Sequence, residues 1–492
     1  MAECGRLVYK IYSRLRLSLV VLLLMLLVVA CGETSPAADK VGSGTTPISS
    51  AIPLATNTAL VTTQVATVTS NTSTNKVGSD ATPTPLPVPT VAAPPEAQQV
   101  FDTLAQQTSK TRSLDFKDKI DKNFMTREAL AKYQVESFNQ ENPPEEIAKY
   151  QKINEVFGFI PKGFDLGKAF TDLQAEQVQG FYDPRSKKFY IILDQDPTKI
   201  SPTTRLTSEH ELTHVLQDQR FDIMKLRPVR QPGTTEGNDD TTLAITSLLE
   251  GDASLSQTLW LQAGNLNRQE LTQLLTDLQK VNQDQLNNAP LILKETLTFP
   301  YSQGLIFVQA IYNKGGWDAV NKVFTDYNPR STAQILHPEK YEKRVEPVTV
   351  ELPSLVDTLG TGWKLVEVNT MGELQSCLWL NGVKLNSVVS NDDATKAVSS
   401  WAGDRYQVLS DAQGRYGYVW RSQWDNASDF AQAATTFLTK TYNLSGNGGN
   451  GLQHLWTTTD LEISLVQKDK QVLIVLLPKG SGVDKVTAKL GF

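Results

Sequence analysis

Cysteine and histidine are scarce in this chain, which has three cysteines and four histidines among 492 residues. So few thiols exclude a disulfide-rich scaffold and a four-cysteine zinc cluster. Any bound metal must be held by imidazole and carboxylate. A surplus of positive charge is also lacking: 47 Lys and Arg stand against 53 Asp and Glu, for a net charge of -6. With no Lys/Arg cluster beyond the N-terminal segment, nothing is available to neutralise a phosphate backbone, and no nucleic-acid partner is expected. No internal repeat is visible.

That N-terminal segment carries Arg6, Lys10, Arg14 and Arg16, followed by LSLVVLLLMLLVVA and Cys31-Gly32. A basic stretch before an apolar run too short to span a bilayer is the anatomy of a secretory signal. Val28-Val29-Ala30 before Cys31 resembles a bacterial lipobox. The resemblance implies a signal peptide over 1–30, lipidation of Cys31 and an extracytoplasmic protein anchored to a bacterial membrane. An uncleaved transmembrane anchor is the alternative, and it too leaves the rest of the chain outside the cytoplasm. Residues 31–95 are rich in Ser, Thr, Pro and Ala. They cannot bury enough apolar area to offset chain entropy, so a disordered tether is expected.

Composition then becomes that of a globular protein, with 40% hydrophobic and 20% charged residues overall. The fold class read from the pattern is α+β. A mainly helical domain over 96–345 contains an upstream β-hairpin, and a separate domain over 346–492 has an antiparallel sheet. Residues 96–157 read as two or three helices with Val100, Leu104, Phe124, Leu130 and Tyr133 at apolar positions, broken at Pro143-Pro144. FYDPRSKKFYII reads as a hairpin turning at DPRSKK. GWKLVEV, DRYQVLSD, RYGYVWRSQW, LEISLVQ and QVLIVLL read as strands, with helices expected at about 371–382, 391–400, 427–441 and 482–489. Trp401, Trp420 and Trp424 are expected to build the core of this second domain.

Two of the four histidines stand together in TSEHELTHVLQDQ, where Ser201 and Pro202 supply a helix start. On a helix, His210 and His214 are one turn apart on one face and can present two imidazole nitrogens to one ion. Glu211 lies beside them, where a carboxylate can take a proton from water. This is the HExxH pattern of zinc hydrolases; the alternative is an ordinary helix that carries two histidines. A catalytic zinc site takes a third protein ligand, and without a nearby histidine or cysteine it should be a carboxylate. Glu250 in LLEGDAS is the candidate, with Asp252, Glu236 and Asp240 as competitors.

The hairpin, the HExxH helix and a following helix bearing Glu250, together spanning about residues 165–345, resemble the gluzincins, the thermolysin-like clan of zinc metallopeptidases. The resemblance implies a zincin-like fold, Zn held by His210, His214 and Glu250, and Glu211 as general base. It also implies a Tyr or His that donates to the tetrahedral oxyanion, for which Tyr301 and His337 are the candidates. His337 is favoured, because an imidazole can both donate to an oxyanion and titrate near neutrality; the alternative is that it caps or packs the end of the lobe beside Pro338. Where that pattern places an Asp four residues after the glutamate, this chain has Ser254, so another group, with Asp252 a candidate, would have to support the histidine. Asp218 and Gln219 are expected to orient a histidine or cap the helix. The hairpin either covers that helix or offers an edge strand to an extended peptide, and His454 reads as a strand-end residue. The function expected is an anchored zinc metallopeptidase acting on a peptide or protein substrate; the alternative is a catalytically silent envelope lipoprotein that keeps the fold as a scaffold.

Overall fold

The computed structural model describes residues 90–175, 180–193, 198–226, 235–281, 283–445 and 453–492. The expected signal peptide, Cys31 and nearly all of the expected tether lie outside these residues. Helix α1 (Pro95–Arg112) is followed by strand β1 (Asp121–Met125), helices α2 (Arg127–Glu141), α3 (Pro144–Phe157) and α4 (Leu166–Ala175), and the hairpin β2 (Phe181–Asp183) and β3 (Lys188–Ile192). The Pro143-Pro144 break falls between α2 and α3, as the sequence predicts. Phe124, read as helical, sits instead in β1, which pairs in parallel with β3 and completes a three-stranded sheet of order β1-β3-β2. A parallel partner more than sixty residues away leaves no local signal, which is why this strand reads as helix.

The HExxH segment forms α5 (Pro202–Phe221), with the Ser201 side chain accepting from the N–H of Thr204 and Pro202 at the first position. Short α6 (Ile223–Leu226) leads to α7 (Asp239–Gln262), α8 (Arg268–Leu278), α9 (Asp284–Asn288) and α10 (Leu291–Thr325), then α11 (Thr332–Leu336) and α12 (Pro338–Glu342). Helices α7 and α10 cross at Gly251 and Gly304. A Cβ on Gly251 would lie 2.2 Å from the backbone of Gly304, and one on Gly304 would lie 2.2 Å from the carbonyl of Ser247. Only glycine permits so close a crossing.

After α13 (Val356–Leu359) come β4 (Lys364–Asn369), α14 (Gly372–Asn381), α15 (Asn391–Val398), β5 (Trp401–Ser410), β6 (Tyr416–Trp424), α16 (Ala427–Thr441), β7 (Gln453–Thr457), β8 (Leu461–Lys468), β9 (Gln471–Pro478) and α17 (Val483–Lys489). The protein is therefore α+β, a helical region followed by a separate antiparallel sheet of order β4-β5-β6-β9-β8-β7. Five of these strands and the four longer helices are legible in the sequence, whereas β7 is legible only through His454, whose ring stacks on Trp456 with 5.0 Å between centroids. The tryptophans Trp401, Trp420 and Trp424 are buried, and the first two donate to the carboxylate of Asp404. One hydrophobic core runs from α7 and α10 into the sheet, and Phe157 of α3 stacks on Tyr418 of β6 at 4.2 Å.

Candidate metal centre

Helix α5 turns both histidines toward one point. Their rings lie 4.8 Å apart at 82°, and the two Nε2 atoms are 3.1 Å from each other. Glu250, reaching across from α7, places Oε2 at 3.1 Å from His210 Nε2 and 3.2 Å from His214 Nε2. All three side chains are buried. Tetrahedral zinc with bonds of about 2.0–2.2 Å spaces its ligand atoms about 3.3 Å apart, close to the edges of this triangle. The donor set, two imidazoles and a carboxylate, is the borderline N/O chemistry that suits zinc.

Two carboxylates could complete the ligand set. His210, Glu211 and His214 form a buried group, with ligand atoms within 4.8 Å of one another, that could hold a metal ion. Glu250 is also placed to be a third ligand, because its Oε2 lies within 3.2 Å of both imidazole nitrogens. Glu211 instead accepts the backbone N–H of Tyr182 at Oε2, 2.7 Å away, which suits a base beside the metal more than a ligand.

The electrostatics of the triad favour a cation. Burial pulls His214 down, but Glu250, Glu211 and the hydrogen bond to Gln217 together more than reverse this and raise it. Burial pushes Glu250 up, and the two histidines pull it well below the usual carboxylate range. Burial is the main cause of the lowered pKa of His210. A buried carboxylate held ionised between two imidazoles is a site for positive charge.

Behind the triad, His214 Nδ1 lies 2.9 Å from Gln217 Oε1, and the Gln217 amide nitrogen donates to Leu249 O at 2.9 Å and Asp252 Oδ2 at 2.8 Å. Asp252 is thus behind the ligands, and its other oxygen pairs with Arg112 Nε at 2.7 Å, both side chains fully buried. Gln217 and Arg112 are residues that sequence reasoning misses. A glutamine three residues after a histidine has no distinctive pattern, and Arg112 comes from a distant helix.

Of the remaining candidates, Tyr301 is brought to the site: its ring lies 6.1 Å from that of His210 at 30°. His337 is engaged elsewhere. It sits between α11 and α12, with Nε2 2.6 Å from Glu373 Oε1, and Lys340 meets the same carboxylate. Asp240, which holds Thr332 of α11 through its backbone N–H, precedes Glu250 by ten residues of α7, or about 15 Å along the helix. His337 is therefore engaged in packing the end of the helical region, whereas Tyr301 stands beside His210. Glu236 pairs with Arg405 at 3.7 Å, so neither Glu236 nor Asp240 approaches the histidines. Asp218 accepts from the Tyr182 hydroxyl at 2.5 Å and from Lys187 at 2.6 Å, tying the hairpin to α5 rather than orienting a histidine. Gln219 accepts the N–H groups of Lys117 and Asp118. The hairpin covers α5, and β2 is an edge strand of its sheet.

Comparison with known families gives a match away from this centre. A model described as a domain of unknown function (DUF8575) covers residues 364–487, the region from β4 to α17. No curated protein and no solved structure matches the chain.

Proposed function

We propose that this protein is a zinc-dependent peptidase, held outside the cytoplasm on a bacterial membrane by lipidated Cys31. The observation that carries the reading is the meeting of His210 Nε2, His214 Nε2 and Glu250 Oε2, within 3.2 Å of one another, beside the carboxylate of Glu211. When bound, zinc supplies Lewis acidity to a carbonyl oxygen and lowers the pKa of a coordinated water toward about 7. The rest is supplied by the chain. Glu211, held at one oxygen by the Tyr182 N–H, takes a proton from water and returns it to the departing amine. Tyr301 lies on the His210 side, where a phenol can donate to the oxyanion of the tetrahedral intermediate. The peptide substrate class follows from the resemblance of the HExxH helix and Glu250 to the gluzincins, since β2 is fully buried and gives its Tyr182 N–H to Glu211.

The test is to strip the purified protein with a chelator and restore it with one equivalent of zinc, following cleavage of a peptide pool by mass spectrometry. The reading expects cleavage to vanish and return. Zinc binding without any turnover would make the protein the silent scaffold. Anchoring is tested separately: the mature N-terminus should be a diacylated Cys31, and Cys31→Ala should release the protein from membranes.

A further inference from the structure

Gln217 makes three hydrogen bonds, and two of its partners fix which way its amide faces. Leu249 O and the Asp252 carboxylate only accept, so the group facing them is the amide nitrogen and the group facing His214 is Oε1. An amide oxygen can only accept, which requires His214 to carry hydrogen on Nδ1 and leaves Nε2, the atom facing Glu250 and His210, as the one that would give up its proton to bind a metal. Asp252 is fixed in turn by Arg112, whose guanidinium lies 4.1 Å over the Trp317 ring and donates to Asn321 at 2.8 Å. Both members of the Arg112–Asp252 pair are fully buried.

We infer that Gln217 is the positioning residue for His214, setting its tautomer and ring orientation for metal ligation, and that Arg112 of α1 holds Gln217 in place through Asp252. The inference rests on the proposed metal site and goes beyond it: it assigns the support of the histidine to an amide and makes the N-terminal helix part of the centre. A ligating histidine keeps its geometry through the bond made by its other nitrogen, and losing such a partner typically weakens metal binding by about 10 to 100-fold. Removing Arg112 alone would leave the Asp252 carboxylate buried without a countercharge, free to turn away from Gln217.

The test is zinc affinity, measured by competition with a chromophoric chelator on the full chain. Gln217→Leu should bind zinc about 10 to 100-fold more weakly. Gln217→Met keeps the length of the side chain but gives His214 no amide oxygen, and should weaken zinc binding to a similar degree. Arg112→Met should weaken binding more than tenfold, whereas Arg112→Met/Asp252→Asn should not. The histidine side-chain 15N shifts of the zinc-loaded protein should report hydrogen on Nδ1 of His214. If Gln217→Leu fails to fold, Gln217→Met decides: zinc binding weakened at least tenfold supports the inference and wild-type affinity overturns it. Tight binding by wild type and by a folded Gln217→Leu alike overturns this inference alone, while a wild type that binds no zinc overturns the metal site with it.

Discussion

The backbone N–H of Tyr182 donates to Oε2 of Glu211 at 2.7 Å, while the hydroxyl of the same tyrosine donates to Asp218 at 2.5 Å. One residue of the hairpin thus grips α5 at two points seven residues apart, and the upper grip holds Glu211, the proposed general base. Tyr182→Phe removes the lower one. Hydrogen bonds to charged groups contribute about 1.5–3 kcal/mol, so the variant should lose stability in that range by urea denaturation. It should also lose kcat several-fold with zinc affinity unchanged, because the strand that positions Glu211 is loosened and the ligands are not touched.

Glu250 and Asp252 should separate in a zinc titration. Glu250→Gln replaces the oxygen that bridges both histidines with a neutral amide, and should weaken zinc by far more than the 10 to 100-fold typical of a supporting group. Asp252→Asn keeps an oxygen facing Gln217 and should fall within that range or below it. The reverse order would make Asp252 the ligand.

The close crossing of α7 and α10 leads to a third expectation. Gly304→Ala drives a methyl to 2.2 Å from the carbonyl of Ser247, and the obstacle is backbone, which cannot rotate away. Overpacking typically costs about 1–3 kcal/mol; here the upper end is expected by denaturant titration. Because Ser247 lies one turn before Glu250, zinc affinity should fall as well.

Stability should also depend on pH through Asp240. Burial is the main reason its carboxyl is pushed up to about 8. The hydrogen bonds from Thr332 oppose the shift, and the facing Asp404 and Glu373 add to it. The folded protein therefore keeps a proton that the unfolded chain gives up near its ordinary pKa of about 3.9. Between those values the folded state binds more protons, so this contribution is full below about pH 4 and is lost as pH rises through about 8. Asp240→Asn should flatten that decline in urea midpoints measured across the window. An unchanged slope would place the dependence elsewhere.

The parts of this protein that were legible in its sequence are those whose causes are local. Ser201, Pro202 and the i, i+4 histidines sit within one helix, and the hairpin and five C-terminal strands carry their own alternation and turns. Elimination reached only a carboxylate for the third position, with Glu250, Asp252, Glu236 and Asp240 all open, and it is α7 that brings Glu250 to the two histidines. What stayed hidden depends on distant partners. Strand β1 exists through its pairing with β3, Gln217 matters through Asp252 and Arg112, and His337 is occupied by Glu373 from another region. Choosing His337 over Tyr301 followed imidazole chemistry, whereas α10 is what carries Tyr301 to the His210 ring.

The central claim is that Glu211 acts as a base beside a metal it does not bind, and one comparison tests it most directly: peptide hydrolysis by wild type and Glu211→Gln, each loaded with zinc and matched for zinc content. Glutamine is nearly isosteric and keeps an oxygen for the Tyr182 N–H, so zinc should stay bound. A positioned base contributes about 10² to 10⁴-fold, so kcat should drop by at least two orders of magnitude. Near-normal hydrolysis by zinc-loaded Glu211→Gln would contradict the account.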